Sequence, residues 1–229
     1  MRTTLKVLSA CLLSGALPAA FANGGGGMSM PSSSSMPRVA SPEQQARDRY
    51  NEGVGYVRKA DKADVDAAQA SDAGKKERAM RESHDRYASA LGKFQNAVQL
   101  DPQRYEAWNY VGYTSRKLGH YDDALVAYDK ALALKPDYPD AIEYRGEAYL
   151  AVNRLDDAKQ AYLDLFAGNR ALAAKLLTAM KGWVVTQRAA PAGDNAPRID
   201  ELDKWIQERA QIAGQTASLT RAGAASAWR

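Results

Sequence analysis

The sequence predicts an all-α fold, a short solenoid of stacked helix-turn-helix units with capping helices at its C-terminal end. Three observations predict it. A set of small and aromatic residues returns every 34 residues; the intervening segments read as helices; and no run alternates apolar and polar residues as a half-buried strand would. About three repeats are present, and the first carries an elongated, coiled-coil-like helical hairpin.

The clearest unit runs from Tyr105 to Tyr138. Moving back one period from Tyr121, Ala124, Leu125, Tyr128, Ala131, Leu134 and Pro136 gives Tyr87, Ala90, Leu91, Phe94, Ala97, Leu100 and Pro102. Moving forward one period from Ala107, Tyr110, Gly112, Asp122, Asp123, Ala124 and Tyr128 gives Ala141, Tyr144, Gly146, Asp156, Asp157, Ala158 and Tyr162. Each residue type has a physical reason. Gly112 and Ala124 are small where the two helices of a unit touch, and Trp108 and Tyr128 fill the wider gaps. Gly119 suits a left-handed helix stop. Asp122 and Asp123 sit well in a helix first turn. Pro102 and Pro136 close their helices, because proline cannot continue one.

These residues resemble the tetratricopeptide repeat. Its pattern stands here as Trp108, Val111, Gly112, Gly119, Tyr121, Ala124, Tyr128, Ala131 and Pro136, and the resemblance covers about 45–183. The flanking units depart from it. The third has Ile142 for the tryptophan, Leu165 for the second alanine and Arg170 for the proline, while the first keeps only a clean second helix.

The chain divides as follows. Residues 1–22 have a basic start (Arg2, Lys6), an apolar core and then Ala20-Phe21-Ala22 before Asn23, which reads as a signal peptide cleaved after Ala22. Leu8-Ser9-Ala10-Cys11 supports an alternative, a lipoprotein anchored at Cys11, although the apolar run continues past that cysteine. Cys11 is the single cysteine, so cleavage after Ala22 leaves no thiol chemistry. Residues 23–42 are Gly, Ser, Pro and Met with almost no charge, a disordered tether. The array with its capping helix spans 43–188, with 189–197 a linker, 198–213 a last helix and 214–229 a flexible tail.

Within unit one, Tyr56 to Tyr87 is far longer than the equivalent Ser115 to Tyr121. The insertion over 59–83 is rich in Ala, Lys and Glu, good helix formers, with a turn at Ser71-Asp72-Ala73-Gly74. It therefore lengthens both helices, with Ala60, Ala63, Ala67 and Ala70 as a seam facing Met80, His84 and Tyr87. After unit three, Gly168 and Asn169 read as a stop and a start, and Leu172, Leu176, Met180 and Trp183 mark the capping helix that a repeat array needs.

Composition excludes several functions. The net charge of +4 gathers Arg2, Lys6 and Arg38 from a first 42 residues without an acid, so the remainder is near neutral and no basic cluster suggests nucleic acid. Nothing after residue 22 is long and apolar enough to span a bilayer. The two histidines, His84 and His120, lie in different units, with no metal-ligand spacing, phosphate loop or positioned nucleophile. No catalytic residue, cofactor or metal is expected, and the chain reads as a non-enzyme.

The resemblance implies protein–protein binding, with the first helix of each unit lining a concave groove for an extended peptide or a partner helix. Carried onto this chain, the lining is Tyr50, Val54 and Val57, then Asn109, Tyr113 and Arg116, then Glu143, Glu147 and Leu150. One variety of the family grips a chaperone tail through Lys, Asn and Arg. Here Tyr50 and Val54 replace the Lys and Asn, and Glu143 and Glu147 oppose an acidic tail. A polar or basic segment of another protein is the expected ligand. The chain reads as an exported adaptor of the bacterial cell envelope, periplasmic when cleaved after Ala22. The alternative is an outer-membrane lipoprotein assisting assembly of a surface appendage or envelope complex.

Overall fold

A computed structural model describes residues 40–189 and 196–226. The expectations for the signal peptide, the cleavage at Ala20, Ala22 and Asn23, and Cys11 lie outside the described residues, as do most of the tether and of the linker. Eight helices and no strand make up the described part: α1 (Pro42–Gln69), α2 (Ala73–Leu100), α3 (Tyr105–Lys117), α4 (Tyr121–Leu134), α5 (Pro139–Ala151), α6 (Leu155–Gly168), α7 (Arg170–Ala189) and α8 (Ala196–Ser226). This is the all-α solenoid that the period predicts.

Local chemistry places the ends. The Ser41 hydroxyl accepts from the Gln44 N–H at 3.2 Å with Pro42 just inside α1, and the Asp72 carboxylate accepts from the Lys75 N–H at 2.9 Å to start α2. The Asn169 side chain accepts from the Leu172 N–H to start α7. Gly119 turns the chain between α3 and α4 at φ +82°, and one period later Asn153 makes the same turn at φ +61°. Asparagine is among the few non-glycine residues that adopt this region readily, so the swap is tolerated.

Helices pair in sequence, α1 on α2, α3 on α4 and α5 on α6, and successive pairs stack through α2 on α3 and α4 on α5. The pairs are joined where an aromatic ring lies on bare backbone. A Cβ added at Gly53 would stand 2.7 Å from the Phe94 ring, and one at Gly112 would stand 2.5 Å from the Tyr128 ring. Phe94, Tyr128 and Tyr162, one period apart, are each almost fully buried, with Ala90, Ala97, Ala124, Ala131 and Ala158 around them. Gly146 meets Leu176 of α7 instead, at 2.7 Å, so the capping helix enters the array as a further unit's first helix. Trp108 bridges the two halves of the core and donates from its indole to the Pro102 carbonyl at 2.9 Å. Pro102, Pro136, Gly119 and Tyr121 lie at the exposed turns.

Three details differ from the expectation. Helices α1 and α2 have 28 residues each against 13 and 14 in α3 and α4, which is the elongated hairpin, but its seam is shifted. Ala60, Ala63 and Ala67 are buried, whereas Met80 and His84 face solvent and Ser83 takes the inward position one turn before Tyr87. A seam of alanines leaves room for a serine, and Ser83 bonds Asp64 across it. Ala70 ends α1 as its cap rather than joining the seam. Finally, α8 begins at Ala196 and runs to Ser226, where a helix to Ala213 and a flexible tail were expected. After Pro197 in its first turn the segment has no proline and is rich in alanine, so its two glycines, Gly214 and Gly223, cost only about 1 kcal/mol each and do not end it. Ile199, Leu202 and Ile206 of α8 are buried, and Trp205 meets the Tyr162 ring edge-on at 5.3 Å.

A paired substitution tests the close approach. Gly112→Ala is expected to lower the melting temperature, with a cost of about 1–3 kcal/mol from overpacking. Gly92→Ala, where nothing lies within 4 Å, should raise stability by up to about 1 kcal/mol. Equal melting temperatures for the two variants would contradict this packing.

Candidate functional site: the inner tyrosine row

The first helices of the units lie side by side. Helix α5 packs directly on α3 and on α7, and α1 meets α3 through side chains. Their shared face carries a chain of rings. Tyr50 of α1 meets Tyr110 of α3 at 5.7 Å, Tyr110 is 6.3 Å from Tyr113, and Tyr113 is 5.0 Å from Tyr144 of α5. Phe94 stacks on Tyr110 at 4.8 Å and supports the row from α2. Tyr50, Tyr110, Tyr113 and Tyr144 are all partly exposed. Burial, the nearby Tyr110 and Glu106 push the Tyr50 phenol up to about 12. Burial likewise raises Tyr110, Tyr113 and Tyr144, so all four rings are neutral donors at physiological pH.

A polar brace fixes the long hairpin to unit two beside this row. The Tyr87 and Tyr113 hydroxyls both donate to Asp61 Oδ1, at 2.6 and 2.8 Å, and Tyr87 also reaches Asp64 Oδ2 at 3.0 Å. Lys117 and Ser83 hold Asp64 from either side. These bonds join the insertion in α1 to α3, so the arm is anchored at its base.

Most other charges on this face are matched. Arg116 pairs with Glu147 at 2.6 Å and lies over the Tyr113 and Tyr144 rings. Lys175 of α7 pairs with Glu143 at 2.9 Å and stands over Tyr144. Glu143 is fully buried, and its Oε1 has no donor. Burial first, and then the adjacent Glu147, raise its carboxyl to about 8 against the pull of Lys175. A proton on that oxygen turns it into a donor toward Glu147, while the other oxygen still accepts from Lys175.

The structure therefore sorts the expected lining residues. Tyr50, Val54, Tyr113, Arg116 and Glu147 are partly exposed on the inner face, whereas Val57, Asn109, Glu143 and Leu150 are buried. Glu143 and Glu147 are thus not the open carboxylates that the sequence suggested, because one is enclosed by α7 and the other is neutralised by Arg116. Sequence reasoning missed Tyr110 and Tyr144, whose recurrence one period apart was the available signal, and Asp61, which lies in an insertion without a repeat counterpart. Among the described residues, no group of three His, Cys, Asp or Glu could hold a metal, and no helix is long and apolar enough to cross a membrane.

Residues 112–153 match the family described as TPR repeat, from the middle of α3 to the turn after α5. That stretch holds the close contact at Gly112, the left-handed turns at Gly119 and Asn153, and the buried Tyr128. This chain carries a tetratricopeptide repeat over residues 112–153. Solved structures similar to it include the second TPR domain of human RPAP3 in complex with an HSP70 peptide. That likeness has 19% identity and a TM-score of 0.46, over 62% of this chain and 98% of that one. Another is the TPR2B domain of yeast Sti1 in a complex with pHsp70, at 15% identity and a TM-score of 0.32, over 66% of this chain and 98% of that one. A comparison with curated proteins gave no match.

The Glu143 carboxyl gives this repeat array a signature in pH. A folded pKa near 8 lies above the ordinary 4.5, so the folded state holds a proton that the unfolded chain releases. Its contribution is fully present below about pH 4.5 and is lost as pH rises toward 8. Glu143→Gln should therefore gain in melting temperature relative to the parent as pH goes from 5 to 8.5, measured by scanning calorimetry. A difference that stays constant across that range would show Glu143 to be ionised throughout.

Proposed function

We propose that this protein is a non-enzymatic adaptor that binds an extended segment of another protein along the inner face of α1, α3 and α5. The tyrosine row carries the reading. Four linked rings, partly exposed and spread over three helices, offer rigid contact area at low entropic cost, with hydroxyls that can bond a peptide backbone. A chaperone tail gripped by its carboxylate suits this face poorly, since unit one has Tyr50 and Val54 where that mode uses Lys and Asn. The polar or basic ligand expected from Glu143 and Glu147 also loses its original ground, because neither is a free charge.

We place the adaptor in the bacterial cell envelope, delivered by the segment before Asn23. Mass spectrometry of the mature protein checks this: an N-terminus at Asn23 is expected, an acylated Cys11 would make it a lipoprotein, and an intact Met1 would remove the envelope reading.

Peptides selected from a random display library on the purified protein test the binding face. Amide shifts on adding a selected peptide are expected to gather on α1, α3 and α5 around Val54, Tyr113 and Glu147. Shifts confined to α2, α4 and α6, or a library that yields no binder, would overturn the proposal.

A further inference from the structure

A cavity of about 310 Å³ lies among α6, α7 and α8, none of which carries the tyrosine row. Its wall on α6 is aromatic. Tyr162 and Phe166, one turn apart, stack at 5.6 Å, and Leu177 of α7 adds a second apolar side. Facing them are Ala213 and Ala217, also one turn apart, on α8. Earlier in α8, Leu202 and Ile206 are fully buried in the core that holds Tyr162 and Leu177. Where alanines follow, the side chains are too short to fill the same space, and a gap remains.

Two arginines stand beside this gap without a matching acid. Arg170 lines it, with its guanidinium 3.4 Å from the centre of the Phe166 ring. Among the described residues no carboxylate comes within ion-pairing distance of Arg170. It opens α7, which has no acid in its first turn, so the helix end adds to the positive charge rather than cancelling it. Arg209 lies one turn before Ala213 on the same face of α8, over the Trp205 ring at 5.6 Å. Its Nε is buried without an acceptor, and its one carboxylate is the neighbouring Glu208, 3.8 Å away. Burial raises the Tyr162 phenol, and the charges opposing that rise are Arg209 and Arg170. The closest acid along α6, Asp164, is exposed and accepts from Gln160.

An apolar interior edged by an unmatched cation suits an amphipathic anion. At roughly 30 Å³ for each methylene-sized group, the cavity holds about ten heavy atoms. Its side chains offer only the Tyr162 and Thr216 hydroxyls as polar groups besides Arg170, and Thr216 already donates to the Ile212 carbonyl. A peptide brings amides that such walls cannot satisfy, whereas an alkyl chain brings none. We infer that this cavity binds a medium-chain fatty acid. The alkyl chain lies between the Tyr162–Phe166 wall and the alanines of α8, and the carboxylate pairs with Arg170. The site is independent of the peptide groove on α1, α3 and α5.

Isothermal titration of the purified full-length protein with octanoate, kept below its micellar concentration, tests it. Octanol and octylamine share the chain length and differ in charge. Octanoate is expected to bind about tenfold more tightly than either, with amide shifts gathered around Phe166, Leu177 and Ala213. Arg170→Gln should weaken octanoate about tenfold and leave octanol unchanged. Ala174→Leu, at an exposed position that lines the cavity, should abolish binding of both by filling it. Unchanged melting temperatures check that the two variants are folded. Absence of octanoate binding, octanoate no tighter than octanol, or binding that either folded variant leaves unchanged overturns the inference. A leucine-terminated peptide that displaces octanoate and binds more tightly would make this a site for peptide ends, and the fatty-acid assignment falls. None of these outcomes touches the groove, whose shifts belong to α1, α3 and α5.

Discussion

Everything in this molecule depends on bare helix backbone meeting an aromatic ring. At Gly53 and Gly112 the helix has no side chain, and Phe94 and Tyr128 press into the space a Cβ would fill. Interiors pack at crystal-like density, so this contact leaves little freedom in the spacing of the two helices. Spacing decides which side chains of α1, α3 and α5 reach the inner face. The glycines therefore act on the binding surface without being part of it. In unit three the same role passes to Leu176 of α7, which is why the capping helix belongs to the array rather than simply closing it.

The extension of unit one is tied to the inner face by polar contacts rather than by its alanine seam alone. Alanines at Ala60, Ala63 and Ala67 let α1 and α2 approach, yet they offer little apolar area per residue. The bonds from Tyr87 and Tyr113 to Asp61, and from Lys117 and Ser83 to Asp64, supply a fixed orientation at the base of the arm. Toward its tip the arm is formed by α1 and α2 packed on each other. Unit one thus contributes a second thing to the site, a half-buried carboxylate that the regular repeat does not contain.

The fold was legible because periodicity is a property of the whole chain. Residues such as Tyr128 and Ala124 recur with their neighbours, and no local error shifts all of them at once. The seam of the hairpin was less legible, since His84 and Ser83 are both compatible with helical spacing and only the width of the gap favours serine. The length of α8 was misread from composition, because small and polar residues suit a helix as well as a tail when no proline intervenes. For the site, the rows carrying Tyr50, Tyr113 and Arg116 could be found from the repeat register. Tyr110 and Tyr144, one position further along their helices, were not, because that position turns toward the neighbouring unit in an isolated reading.

Register explains why the expected carboxylates were the wrong ones. Asn109, Glu143 and Leu177 share one position of successive first helices, and all three are buried. Tyr50 occupies it in unit one and remains partly open beside Tyr110 of α3. As soon as a further first helix is added, this position is covered: α5 encloses that of α3, and α7, through Lys175, encloses Glu143. A charge there has to be neutralised or paired, as burial of an uncompensated carboxylate is too costly. What stays open on the inner face is the partly exposed row of Tyr50, Tyr110, Tyr113 and Tyr144, so rings rather than carboxylates make up its contact surface.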